Sequence, residues 1–216
     1  MLRGANLALS FSSNISGRHS HGEYGPGVVL KLDHVFCMVT EPATAIGQVE
    51  ELGWTLDPGQ AHEGQGRLFW REQYFELLWI TDEAEARANP LRLDRRAAWQ
   101  TTGASPFGLG FRGRPDPTDG YWLYDALGFP IWVHTDNERF PERPLVFALD
   151  LDMERASADA GGDELHEVRV GGPSAPSLPE FEGPAIVHAP GPHSLELVLR
   201  PGGVRHRIAA GLVIRA

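Results

Sequence analysis

Cysteine is nearly missing from this chain. Cys37 is the single one in 216 residues, so no disulfide can form within the chain, and a reducing compartment is the one that fits. Long apolar runs are missing too: no stretch reaches the roughly 20 apolar residues that a membrane-spanning helix needs. The Leu-Ala-Leu-Ser-Phe run at 7–11 is too short for a signal-peptide core. Basic charge is also in deficit. Nineteen Lys and Arg stand against 29 Asp and Glu, a formal charge of −10, and no basic footprint is visible that would make nucleic acid or an anionic membrane the main partner. These absences together predict a cytoplasmic protein.

What is present is ordinary for a globular chain, with 42% hydrophobic and 22% charged residues. The length suits one large domain or two related modules. Residues 1–27 have little apolar periodicity and many Ser, Gly, Asn and His, which predicts a flexible leader. His19 and His21 within it are weak metal ligands.

The stretch 32–80 reads as strand, helix, then three strands. Residues 32–39 are strand-like, and alternation places Leu32, His34, Phe36 and Met38 on one face, with Cys37 on the other as a small buried hydrophobe. A helix follows, with Thr40 or Glu41 as cap, Pro42 in its first turn, Ala45, Ile46, Val49 and Leu52 at helical spacing, and Gly53 as its stop. Residues 54–56 form a short strand, and 67–71 with 74–80 form a hairpin through Glu72 and Gln73. Tyr74, Glu76, Leu78 and Ile80 share a face of the last strand. Glu76 is therefore a lone carboxylate in an apolar strand, costly to bury unless a cation, a metal or strong donors meet it.

Beyond this, Thr81 caps a short helix over 82–88, Asn89-Pro90 interrupts it, and a second turn runs over 91–99. Arg92, Arg95 and Arg96 read as a solvated helix face. Residues 107–112 form a strand whose glycines suggest an edge or a bulge. The segments 121–127, 129–135 and 145–151 read as a turn of helix and two strands, and the polar stretch 152–162 as a linker. The division is thus a first module at 28–113, connecting strands and linker at 114–162, and a second, reduced module at 163–216.

That second module echoes the first. His166 lies in its opening strand, 165–170, and Glu196 between Leu195 and Leu197 repeats Glu76 between Phe75 and Leu77. Pro173, Pro176 and Pro179 oppose a helix between these strands. Two modules that each give a histidine and a glutamate suggest one site where the sheets face each other. Imidazole and carboxylate together suit Zn, Fe, Ni, Co or Mn.

The order of elements and the segments 32–39, 54–80 and 165–199 resemble the vicinal oxygen chelate superfamily, which includes glyoxalase I, extradiol dioxygenases, fosfomycin-resistance proteins and bleomycin-binding proteins. In particular the chain resembles the glyoxalase-like domain proteins. The resemblance implies an α+β fold of paired βαβββ modules forming a curved mixed sheet around a cleft. It implies a divalent metal held by His34, Glu76, His166 and Glu196, with Phe36, Met38, Tyr74 and Leu78 lining the substrate. The chain departs from glyoxalase I in its long 81–162 segment and its missing second helix.

The resemblance further implies a lyase- or isomerase-type reaction on a small oxygenated molecule through a metal-stabilised enediolate or alkoxide, with Glu196 moving the proton. One alternative is an extradiol-type iron dioxygenase, for which His188 is the residue to watch. Another is a metal-free small-molecule binder of the antibiotic-sequestering kind, walled by Trp70, Trp79, Trp122 and Trp132, although large aromatics more commonly belong to the core. A third is a non-catalytic domain that keeps the old ligands as a hydrogen-bonded network. The superfamily assembles its cleft within one chain or between two, so a homodimer is one way to complete it.

Overall fold

The computed structural model describes residues 29–57, 64–70, 72–116, 119–124, 130–150, 164–200, 203–209 and 211–216. The expected leader, 1–27, and the expected linker, 152–162, lie outside these residues. Its strands are β1 (Leu30–Met38), β2 (Gly64–Phe69), β3 (Tyr74–Trp79), β4 (Phe107–Arg112), β5 (Tyr121–Tyr124), β6 (Ile131–His134), β7 (Leu145–Leu149), β8 (Glu164–Gly172), β9 (Phe181–Glu182), β10 (Ala185–Pro190), β11 (Ser194–Arg200), β12 (Arg205–Ala209) and β13 (Leu212–Arg215). The larger sheet runs β2-β3-β1-β4-β7-β6-β5, with β9 added beside β1, and the smaller runs β10-β8-β11-β13-β12. The fold is mixed α+β with two open mixed sheets, as expected.

In the larger sheet β1 and β4 are antiparallel at the centre. Each has a parallel partner outside it, β3 beside β1 and β7 beside β4, followed by an antiparallel strand, β2 or β6. The parallel β1–β3 pair needs a crossover, and helix α1 (Pro42–Glu50) lies on that path. Residues 30–79 and 107–149 are therefore the two modules that share this sheet. The second module draws its β4 from the end of the segment that the sequence assigned to the first module, 28–113, and its β5, β6 and β7 from the segment assigned to connecting strands and linker, 114–162. It has no room for a crossover helix between β4 and β5, and 121–124 is a strand rather than a helical turn.

The smaller sheet follows the same path in reduced form. Its parallel pair β10–β8, antiparallel pair β8–β11, parallel pair β11–β13 and antiparallel pair β13–β12 match β3–β1, β1–β4, β4–β7 and β7–β6 in order and sense. Residues 164–216 thus repeat the whole paired arrangement rather than completing one half of it.

A β-bulge decides which way β1 presents its side chains. The β1–β4 register shifts between Leu32 and His34, so Asp33 is an extra residue, and the alternation changes phase there. Leu30 and Leu32 join Val35 and Cys37 on one face, packed against α1 and the smaller sheet; His34, Phe36 and Met38 point to the other. Leu32 is therefore not on the face of His34, because simple period-2 alternation does not carry across the inserted residue. The first face, here the packed face, holds Phe75, Leu77, Leu109 and Phe111 against Val168, Val170, Leu197 and Ile214 of the smaller sheet.

The opposite face, the site face, is covered by the segment between the modules. Helix α2 (Glu83–Ala88) is capped by Asp82, whose carboxylate accepts from the Ala84 and Glu85 amides at 2.8 and 3.0 Å; Thr81 is not the cap. Helices α3 (Leu93–Ala97) and α4 (Trp99–Thr102) follow, and Leu93 packs into the site-face cluster with Phe36, Met38 and Phe147. Arg96 fixes this cover. It is 2% exposed, so it is not on a solvated helix face, and its guanidinium donates to the carbonyls of Ser105, Arg143 and Pro141 at 2.9, 2.9 and 3.4 Å. Burial pulls its pKa down to about 10, which leaves it charged at neutral pH. None of the helices in the described residues is long and apolar enough to cross a membrane.

Cys37 gives a direct check on this packing. Burial pushes its thiol up to about 12, and the thiolate is the reactive form. The native protein is expected to resist maleimide and iodoacetamide at pH 8 and to label fully in denaturant. Rapid native labelling would place β1 at an exposed position.

Candidate functional site

The site face carries two chemically able side chains on adjacent strands. His34 of β1 stands level with Tyr74 of β3, and Phe36 stands level with Glu76. In a parallel ladder, level residues share a face, so His34 and Glu76 are diagonal neighbours on the same side. Both are largely buried, at 3% and 8% exposure.

The bulge residue orients the imidazole. His34 Nδ1 lies 2.8 Å from Asp33 Oδ2, and Asp33 Oδ1 accepts from Arg112 Nε at 3.1 Å, with a second, shorter contact from the same guanidinium. A carboxylate can only accept, so the proton sits on His34 Nδ1 and the Nε2 lone pair is left for a ligand. The ring stacks on Tyr74 with centroids 4.4 Å apart and meets the edge of Phe147 at 5.2 Å. Glu76 stands directly across the β2–β3 ladder from Arg67. Opposite charges at such a position attract, which supplies one of the cations that the sequence required for a buried carboxylate.

Beneath these rings β4 contributes only glycine. A Cβ on Gly110 would come within 2.5 Å of the His34 ring, and one on Gly108 within 2.0 Å of the Phe36 ring. Both rings lie over backbone where no side chain can stand. The outer strand β7 presents Leu145, Phe147 and Leu149 at the level positions. The second module therefore offers hydrogen and hydrocarbon where a four-ligand centre would need two donors.

The two remaining expected ligands lie elsewhere. His166 is the extra residue of a second bulge, between β8 and β11 of the smaller sheet, which turns it outward, and its Nε2 is 2.8 Å from an Arg200 amino group. Glu196 is bound by Arg205 at 2.9 Å and Arg169 at 3.5 Å. Guanidinium groups thus occupy the atoms that a metal would use. Among the described residues no group of three or more His, Cys, Asp or Glu is placed to hold a metal ion. The residues present do not fit the metal centre that the superfamily pattern implies.

Of the expected substrate-lining residues, Phe36, Met38 and Leu78 are packed into the closed apolar cluster of the site face, while Tyr74 supports the imidazole. His188 lies 3.1 Å from the Gly172 carbonyl on β10, in the smaller sheet and away from His34. Trp70 is core, and Trp79 and Trp132 pack against the same core; only Trp122 lies against the site-face cluster. Sequence reasoning missed Asp33, Arg112 and the glycine pair. The pair had a readable signal, since Gly108 and Gly110 are two apart and so share one strand face, a pattern that marks close approach from above.

Residues 32–115 match the family model described as a glyoxalase-like domain. This part of the chain is similar to a glyoxalase-like domain. The matched span contains most of β1 and all of α1, β2, β3 and β4, hence His34, Glu76 and both glycines. Among solved structures, a hypothetical protein from Staphylococcus aureus is similar at a TM-score of 0.56 and 10% identity, over 87% of this chain and 98% of that one. A methylmalonyl-CoA epimerase from Mycobacterium tuberculosis is similar at a TM-score of 0.42 and 16% identity, over 62% of this chain and 97% of that one. No curated protein matches the sequence. The staphylococcal likeness extends through most of the chain, so the fold shared with it includes more than the glyoxalase-like span.

The glycine floor is testable. Gly110→Val forces a branched side chain into the His34 ring and is expected to destabilise the protein by about 1–3 kcal/mol in urea titrations. Gly66→Ala is the control, because its Cβ would meet Leu56 at an ordinary 3.5 Å; it is expected to change stability by less than about 1 kcal/mol. Equal effects at the two positions would show that the ring does not lie over Gly110.

Proposed function

We propose that this protein is a glyoxalase-like enzyme that moves a proton on a small oxygenated molecule at the polar end of the site face, without the four-ligand metal centre. The observation that carries this reading is the buried Asp33–His34 pair beside Glu76. Asp33, itself held by Arg112, fixes the imidazole with Nε2 as acceptor, an arrangement suited to a general base.

In this reading a C–H bond beside a carbonyl breaks, its proton goes to His34 Nε2, and its electron pair moves onto the carbonyl oxygen. Delivery of a proton to the opposite face of the same carbon gives epimerisation; delivery to the neighbouring atom gives isomerisation. Glu76 is the second group on that face able to accept or carry a proton. It takes the role that the superfamily resemblance gave to Glu196, whose oxygens are engaged by two guanidinium groups. The apolar cluster beyond Tyr74 favours a compact substrate.

A second reading, binding without chemistry, is favoured by the closure of that cluster under Leu93. Solvent exchange separates the two. In D2O with EDTA, a panel of small 2-oxo and 2-hydroxy acids is followed by proton NMR for loss of the signal α to the carbonyl. Catalytic exchange of at least one compound is expected, falling by about 100-fold or more in His34→Ala and Glu76→Gln. Exchange that needs an added divalent metal, or that survives both substitutions, would contradict the proposal. Saturable binding with no exchange would favour the binder.

A further inference from the structure

We propose that the seam between the two sheets is a second small-molecule site, selective for a compound that bears an ammonium group beside a neutral hydroxyl or amide. A cavity of about 470 Å³ lies there, lined by Glu72, Gln73, Glu164, His166, Gly183 and Ala185 among others. That volume is in the range of small-ligand pockets. It opens on the packed side of the larger sheet, whereas His34 and Glu76 face the other side.

Gln73 is the deciding residue. It is 7% exposed and precedes Tyr74, so strand alternation sends its side chain with Phe75 toward the smaller sheet and the cavity. Its backbone carbonyl accepts from the Trp70 amide at 2.9 Å, yet its carboxamide has no hydrogen-bond partner among the described residues. Its carboxamide is not among the fully buried, unpartnered groups of the described residues, so its atoms are open to the cavity and free to meet a partner there. A ligand in the cavity would be that partner, offered both a donor and an acceptor.

The rest of the lining sets the chemistry. Glu72 is exposed at the cavity and has no ion-pair partner among the described residues. Glu164 adds a second carboxylate, offset by Arg200, which stands level with it across the β8–β11 ladder. Arg200 can only donate, so His166 Nε2 accepts from it at 2.8 Å and the ring proton is on Nδ1, giving the cavity wall one donor. β10 joins β8 only from Glu167 onward, which leaves that edge of β8 at 164–166 without a strand partner beside the cavity. A carboxylate without an ion-pair partner among the described residues, a carboxamide open to the cavity and a strand edge favour an ammonium ion on Glu72 and neutral polar groups on Gln73. The net charge of −10 works in the same direction.

The test uses the full chain labelled with 15N. Glucosamine, putrescine and glycinamide are titrated as ammonium probes, with N-acetylglucosamine and gluconate as neutral and anionic controls. At least one ammonium probe is expected to give saturable shifts of the Gln73 side-chain amide and of the Gly183 and Ala185 backbone amides. Gln73→Leu and Glu72→Gln are each expected to weaken that binding at least ten-fold. Failure of all three ammonium probes to saturate, equal binding by the controls, or unchanged affinity in Gln73→Leu would each overturn the proposal.

Discussion

Close approach across the β1–β4 ladder is the constraint on which the rest of the site depends. Gly108 and Gly110 leave the floor of the site face empty of side chains, and the Phe36 and His34 rings lie down on it. Aromatic rings set flat against a strand fix the directions in which Tyr74, Phe147 and Leu149 can pack around them. The same choice removes from β4 any side chain that could act as a ligand. Geometry and chemistry are therefore decided together, at two residues that contribute no functional group.

The consequence is an asymmetric site on a pseudo-symmetric sheet. Residues 30–79 supply the imidazole and its orienting carboxylate, and Glu76; residues 107–149 supply glycine, leucine, phenylalanine and one guanidinium, Arg112, which anchors Asp33. The bulge at Asp33 makes this division possible. Without the extra residue, Leu32 and His34 would compete for one face, and the orienting carboxylate would not lie beside Nδ1. Arg96, buried under the covering helices, donates to three carbonyls and ties that cover to the other end of the face.

Much of the first module was legible because local signals there agree. Pro42, the 45/49 spacing and Gly53 mark α1, and alternation marks β3, so Glu76 was placed on its correct face. The phase change at Asp33 was not legible, since a bulge inserts a residue without altering composition. The second module was misplaced for a related reason. Tyr121 to Tyr124 and Ile131 to His134 are short strands without acidic or imidazole markers on the site face, whereas His166 and Glu196 mimic the first module in a sheet that repeats its topology. The resemblance between 164–216 and the first module was thus real, but it reflected a repeated strand path and not a shared metal site. Arg96 looked solvated because its partners, the carbonyls of Ser105, Pro141 and Arg143, come from segments that only the tertiary fold brings together.

The central claim is that one module alone carries the chemistry of the site face, without a metal held by His34 and Glu76. Metal uptake measures it most directly. The wild type and His34→Ala are incubated in turn with zinc, nickel, cobalt, manganese and ferrous iron, passed through gel filtration, and analysed by plasma mass spectrometry. The account predicts far less than one equivalent of each metal on the wild type, or the same residual amount on both proteins. About one equivalent on the wild type that disappears in His34→Ala would contradict it.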